Sequence, residues 1–412
     1  MLTYYTPNTP ECMADTDSHS INNAIRAAKT SGVGKVVIPR VNARTGEAKW
    51  ETDEAILLPD EIEILLDNCY IRQADGSFDN VFRNERMYGD GFNTVAGEQH
   101  GIHIRGVGNA VIDGGKFNGL GEKNSCKDGM PHVSVNNMIL MHNVSDFSIE
   151  GITFKNPRWW TVNLIYASHG RLDNLTFDAK DDVKNQDGID LRLGCHDILI
   201  SRIFGQAGDD LIALSGFGGR EKRSLGVAGK ADDICNVIIR DVIGTSVSKA
   251  VVALRNEDGV LLHDVTVDGL FDTSGDEKGN APYAVLRVGQ KAYFAHRLST
   301  LGETSRITVR NLHAAKGIAI MVNGTLADSS FEGIYCGEGV ARAFTTETDW
   351  GSAGAALRNV RIDGIYGKTA KVPVCFAQGD EGDGNDGVHL SHVLTDGEIY
   401  TSAYGADGLK AL

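Results

Sequence analysis

The chain has 412 residues, 49 of them glycine and only 8 proline, with a hydrophobic fraction of 42% and a formal net charge of −15. That charge disfavours nucleic acid and anionic membranes as partners. The glycine content, without a collagen period or a low-complexity bias, excludes fibrous and disordered classes and points to many tight turns between short strands.

Seven cysteines are scattered with no CxxC and no Cys/His cluster at metal spacing, so free thiols in a reducing compartment are expected. The start, MLTYYTPNTPECMADTDSHS, has no basic stretch followed by an apolar one. A cytoplasmic location is therefore the expectation, unless a leader has been removed. No run approaches the roughly 18 apolar residues that cross a bilayer.

In chain order, residues 18–30 (SHSINNAIRAAKT) predict a helix capped by Ser18 or Ser20, with Ile21, Ala24, Ile25 and Ala28 on one face and Gly32 just past its end. Strands follow at Lys35–Pro39, Ala55–Pro59, Glu61–Leu66, Glu98–His103 and Val111–Gly114. A phrase of the form apolar-x-x-apolar then recurs, starting at Ile149, Leu172, Ile200, Ile239, Leu262, Val309, Phe331, Ile362 and Leu390. The offsets are 23, 28, 39, 23, 47, 22, 31 and 28. A base period near 22–23 with variable additions marks a solenoid whose insertions leave as loops. The fixed Leu and Asn positions of leucine-rich repeats are missing. The reading is an all-β right-handed parallel β-helix, one domain over 1–412, with the helix capping its N-terminal end. Inserted loops are expected at about 217–233 and 271–305, walling a cleft.

The most informative stretch is 185–216, NQDGIDLRLGCHDILISRIFGQAGDDLIALSG. Two phrases, NQDGIDL and AGDDLIAL, each run from Asp into alternating apolar residues. Asp187 and Asp209 are 22 residues apart, one coil without insertion, and Asp210 follows directly. Three carboxyl groups in one patch cannot all ionise freely, so at least one pKa is expected to rise. An acid and a base then stand side by side, as glycosidic hydrolysis requires. An inverting enzyme spaces them about 6.5–9.5 Å apart, which adjacent coils with a lateral offset would satisfy. A capping Asp at a turn is the ordinary reading of any one of these residues, as for Asp113 and Asp363. A calcium site is the competing reading of the cluster, with Arg192, Arg255 and Arg287 available as the base of a lyase.

At these residues the chain resembles glycoside hydrolase family 28, the polygalacturonases and rhamnogalacturonan hydrolases. The family's Asn-Thr-Asp-Gly phrase is here Asn185-Gln186-Asp187-Gly188, and its Gly/Gln-Asp-Asp phrase is Gly208-Asp209-Asp210. Asn156-Pro157-Arg158-Trp159-Trp160 is similar to the family's Ser-Pro-x-Trp coil. The resemblance implies the β-helix, no cofactor and no metal. It makes Asp209 the general acid, with Asp187 and Asp210 positioning and deprotonating the water, and inversion at the anomeric carbon. The family's Gly-His-Gly phrase is absent: the corresponding coil reads Ser248-Lys249-Ala250-Val251, with Lys249 or Ala250 at the place of the His. Its Arg-Ile-Lys phrase is here Arg287-Val288-Gly289, with Lys291 two residues further on. The expected substrate is therefore a pectic or other uronic-acid-containing oligo- or polysaccharide, bound by Lys249, Arg255 and Arg287, with Trp159 and Trp160 stacking on sugar. A calcium-dependent lyase and a non-catalytic carbohydrate-binding β-helix are the alternatives. His169, His196 and His263 read as surface or hydrogen-bonding residues, Arg220, Lys222 and Arg223 as a basic loop, and Gly379–Gly387 as an acidic turn.

Overall fold

A computed structural model describes residues 3–411 apart from 78, 89–92, 95–96, 117–136, 158–159, 181–184, 220–224, 276–280, 290–295, 347–355, 370–372, 377–384, 396–397 and 400–408. The chain winds as a right-handed parallel β-helix, the hand that parallel crossovers take. Each coil contributes one strand to each of three faces. The first face runs from Lys35–Pro39 through Ile62–Asp67 and Gln99–Val107 to Val388–Thr395, all paired in parallel. The second begins with Trp50–Thr52 and Tyr70–Gln73. The third begins with Ile56–Leu58 and Phe82–Asn84 and carries the acidic phrases.

Alternation explains why these sequences form these strands. On the third face Val162, Ile189, Ile212, Val252, Leu286, Ile320 and Phe344 lie in one inward ladder, and none is exposed to solvent. Each such side chain contributes about 1.5–3 kcal/mol by leaving water. Strands stack about 4.8 Å apart, so one long apolar core forms without any coil needing a core of its own.

The recurring four-residue phrase is the corner between the first and second faces. Its third residue adopts the left-handed conformation: φ is 70° at Gly151, 55° at Asn174, 54° at Arg202 and 54° at Asn311. The phrase at Leu262 does not belong to that series. The corner of its coil is Val267-Asp268-Gly269-Leu270, since Val267 pairs with Ile239 and Val309, and Gly269 takes the positive φ. The offsets there are 28 and 42, in place of 23 and 47. Asp264 is also left-handed, near the start of the strand, and so copies the corner pattern locally.

The helix spans Asp17–Ser31 and packs on the first coil of all three faces. Its cap is Thr16, whose hydroxyl accepts the His19 N–H, not Ser18 or Ser20. Ser18 is committed to Asp53 at 2.7 Å, and Ser20 bonds back to the Thr16 carbonyl at 2.8 Å. The four apolar residues expected on its inner face are buried, and Gly32 ends it at φ 74°. The stretch 271–305 is not a single inserted loop, because it contains a third-face strand, Ala284–Val288, paired with Ala250–Glu257. On the outer side of the second face Phe271, His313, Tyr335 and Tyr366 stack ring on ring, with centroids 4.3, 4.4 and 5.2 Å apart. Neighbouring rings cover each other's faces, so this row strengthens adjacent coils. All six described cysteines are free. Among the described residues no helix is long and apolar enough to cross a membrane.

Candidate active site

Asn185 turns left-handed at φ 57° and delivers Gln186 and Asp187 to the start of the strand Ile189–Leu191. The coil offset here is 23, because Ile189 pairs with Ile212. Asp210 therefore lies over Asp187, and Asp209 is shifted by one residue. Backbone bonds lock this arrangement: Gly188 N–H donates to the Asp210 carbonyl at 3.0 Å, and Gly208 N–H to the Gln186 carbonyl at 3.0 Å. Gly188 is required beside Asp187, since a Cβ there would lie 2.4 Å from the Leu211 carbonyl oxygen.

One carboxyl oxygen from each of Asp187, Asp209 and Asp210 lies within 4.8 Å of the other two. The chain thus brings together the three predicted acids, but more tightly than the about 6.5–9.5 Å of a typical inverting pair. Register alone places oxygens this close when two acids stack on adjacent strands.

The structure adds a fourth acid. Asp190 is buried on the outward side of its strand, in the ladder Asn163, Asp190, Ala213, Ala253, Arg287. Asp187 Oδ1 and Asp190 Oδ2 find no hydrogen-bond partner among the described residues. The two alanines keep the ladder low between Asp190 and Arg287. That leaves room for long side chains to reach back, and Arg287 Nη2 reaches Asp210 Oδ2 at 3.0 Å. Arg255 Nη2 lies 3.3 Å from the same oxygen and donates to Ser215 Oγ at 2.8 Å. The Ala250 N–H also donates to Asp210 Oδ1 at 2.9 Å. Asp210 is thus fully buried but compensated by two guanidinium groups and an amide.

Its neighbours are not so compensated. Burial, then the negative fields of Asp190, Asp209 and Asp210, push the Asp187 carboxyl well above the usual carboxylate range. Burial raises Asp190 to about 7 against the opposing pull of Arg192 and Arg255. Burial and Asp210 raise Asp209 to about 6, with Lys249, Arg255 and Arg287 opposing. The cluster therefore holds protons at mildly acidic pH, with a fixed ion-paired group in its midst.

Lys249, Arg255 and Arg287 all lie near the acids. Arg255 and Arg287, however, already bind Asp210. Trp160 is only 9% exposed and carries the Arg192 guanidinium 4.1 Å above its ring. Phe217 stands between Arg192 and Arg255, 6.0 and 5.3 Å from its centroid. Trp159, Lys291, Arg220, Lys222 and Arg223 lie outside the described residues, as does most of Gly379–Gly387. Sequence reasoning missed the place of Asp190 in the cluster, although it is the second residue after the Asp187-Gly188 pair, as well as the Arg192–Trp160 contact and Glu257. Glu257 sits on the same strand as Arg255, buried with both carboxyl oxygens lacking a hydrogen-bond partner among the described residues, and burial raises it to about 7. Period-2 alternation from Ile189 would have turned Asp190 outward into the site.

The fold and site together define a parallel β-helix that displays a buried acidic cluster on one face. Residues 90–222 match the family model of glycosyl hydrolases family 28, so the resemblance carried by Asn185–Gly188 and Gly208–Asp210 holds. The match ends before the coils that lack the family's His and Lys. None of the curated proteins matches the chain. Among solved structures, a tailspike protein of E. coli bacteriophage HK620, a double mutant in complex with a pentasaccharide, is similar with a TM-score of 0.60 and 13% identity, over 99% of this chain and 78% of that one. The family 28 exopolygalacturonase of Yersinia enterocolitica is similar with a TM-score of 0.51 and 14% identity, over 99% and 77%. These likenesses are of fold.

Proposed function

We propose that this protein is a glycoside hydrolase that cleaves a pectic or related uronic-acid-containing oligosaccharide with inversion. The observation that carries the reading is the pairing of Asp209, raised to about 6, with Asp210, pinned by Arg255 and Arg287. Asp209 holds a proton in mildly acidic solution and can give it to the leaving oxygen. Asp210, oriented by its two arginines, takes the proton of the attacking water, and Asp187 holds that water. General acid catalysis of this kind contributes about 10²–10⁴-fold. The family match over 90–222, the pentasaccharide bound by the tailspike neighbour and the other neighbour's name as an exopolygalacturonase support a sugar substrate. Lys249, which acts on Asp209 beside the two arginines that hold Asp210, supplies local positive charge that suits an anionic sugar in an otherwise acidic chain.

The closeness of the three acids, within 4.8 Å, also favours a second reading, a calcium-dependent lyase. Against it, two guanidinium groups already neutralise Asp210. Reducing-sugar release and near-ultraviolet absorbance on a panel of pectic oligosaccharides, with and without chelator, separate the two. Chelator-insensitive release, abolished in Asp209→Asn, supports hydrolysis. A chelator-sensitive absorbing product makes the protein a lyase. The anomer formed first, followed by proton NMR, tests inversion: the retained anomer would instead make one of the stacked acids a nucleophile.

A further inference from the structure

A second cluster lies on another face, at the start of the first-face strands. His196, Cys235 and His263 occupy one ladder position on three successive coils. In-register residues of a parallel sheet project to the same side, about 4.8 Å apart. Beside this ladder runs a row of left-handed residues that includes His169 at φ 53° and Asp197 at φ 55°. The left-handed turn of the backbone at these two residues sets their side chains beside His196. The rings of His169 and His196 meet edge to face at 5.6 Å. Asp197 Oδ2 lies 2.7 Å from His196 Nδ1 and 3.9 Å from His169 Nδ1. One ligand atom from each of His169, His196 and Asp197 lies within 4.8 Å of the other two. His169, His196, Cys235 and His263 all line one cavity of about 680 Å³.

We propose that His169, His196 and Asp197, with Cys235 as the fourth ligand, bind a borderline divalent transition metal, Zn²⁺ foremost. The donor set decides the metal class: two imidazoles, a carboxylate and a thiol suit Zn²⁺ or its neighbours, whereas Ca²⁺ and Mg²⁺ take oxygen. Tetrahedral ligands at about 2.0–2.3 Å from zinc are roughly 3.5 Å from one another. The three grouped atoms, within 4.8 Å of one another, need a contraction of about 1 Å, within reach of side-chain rotation because His169 and Asp197 are exposed, and Cys235, next to His196 in the ladder, turns in to complete the set. His263 stands one coil beyond Cys235. There Asp264 Oδ2 and the Arg306 guanidinium, at 2.6 and 2.9 Å, already engage its Nδ1, which fits an outer position. The ion would tie three successive coils together, where the described cysteines form no disulfide.

The probe is Co²⁺, titrated into the chelator-treated full chain and followed by its visible bands and by thiolate-to-metal charge transfer, then displaced by Zn²⁺. One equivalent is expected, bound with a dissociation constant on the order of micromolar or tighter. The charge-transfer band should vanish in Cys235→Ser. Replacing both histidines, His169→Asn and His196→Asn, should weaken binding at least about tenfold. Asn tolerates the left-handed position at 169, and circular dichroism checks the fold. Asp209→Asn should leave the titration unchanged. Absence of saturable binding, an unaltered spectrum in Cys235→Ser, or loss of binding in Asp209→Asn but not in the histidine pair would each overturn the proposal. The last of these would place the ion in the acid cluster.

Discussion

Replacing Asp190 by Asn should stabilise this protein, and by an amount that grows with pH. Asp190 is 1% exposed, one carboxyl oxygen has no hydrogen-bond partner among the described residues, and burial raises its pKa to about 7. In the unfolded chain the group returns to about 3.9. The sign follows from linkage: an acid whose folded pKa lies above its unfolded value imposes no cost below the unfolded value. Stability is then lost as pH rises from about 4 toward the folded pKa of about 7. At roughly 1.4 kcal/mol per pKa unit the penalty is on the order of 1–2 kcal/mol at pH 5 and about 4 kcal/mol at pH 8. Asp187 and Asp209 share protons with it, which dilutes the contrast to about 2 kcal/mol. The amide of Asn is nearly isosteric, and any cost of burying its N–H₂ is the same at both pH values and cancels from the difference. Unfolding by urea of native chain and Asp190→Asn, each at pH 5 and pH 8, measures it. A gain equal at the two values, or a loss that deepens with pH, would refute the reasoning. Either result would mean that Asp190 is charged and compensated in the folded chain.

The alkaline limb of the activity profile should fall near pH 6, where Asp209 loses its proton, and kcat should report it more directly than KM. Arg287→Met leaves Asp210 with Arg255 alone and should cost about 3 kcal/mol, the lower end for breaking a buried pair; chemical denaturation reads it, and Arg287→Lys should recover part of the loss. Gly188→Ala drives a methyl into the Leu211 carbonyl and should lower activity more than about a hundredfold by displacing Asp187, with the fold retained by circular dichroism. Thr16→Ala should cost about 1 kcal/mol of stability through the lost helix cap, whereas Ser20→Ala, which keeps the cap, should cost clearly less.

The architecture was legible because a solenoid writes its period into the chain. Alternating Ile, Val and Leu identify strands, and the corner phrase recurs because each coil needs one residue with positive φ. That rule is local: the left-handed residue Asp264 obeys it as well as the corner at Gly269 does, and only the strand pairing tells them apart. Ala284–Val288, read as part of a loop, is a strand because the apolar side chains of Ala284, Leu286 and Val288 complete ladders begun by Ala250, Val252 and Leu254, a reason absent from the segment itself.

For the site, the sequence by itself determined which acids lie one coil apart. A spacing of 22 or 23 residues is one turn of the helix, and turn length is a local property. What only the tertiary structure decided is the company those acids keep. Arg287 stands 77 residues beyond Asp210, and insertions of unequal length intervene, so no spacing rule predicts that it folds back across Ala253. Burial, which raises Asp187, Asp190 and Asp209, and the two arginines that hold Asp210, depend on coils stacked above and below. Charge state in a low-dielectric patch is set by that whole environment, and the chain acquires it only once the coils are wound.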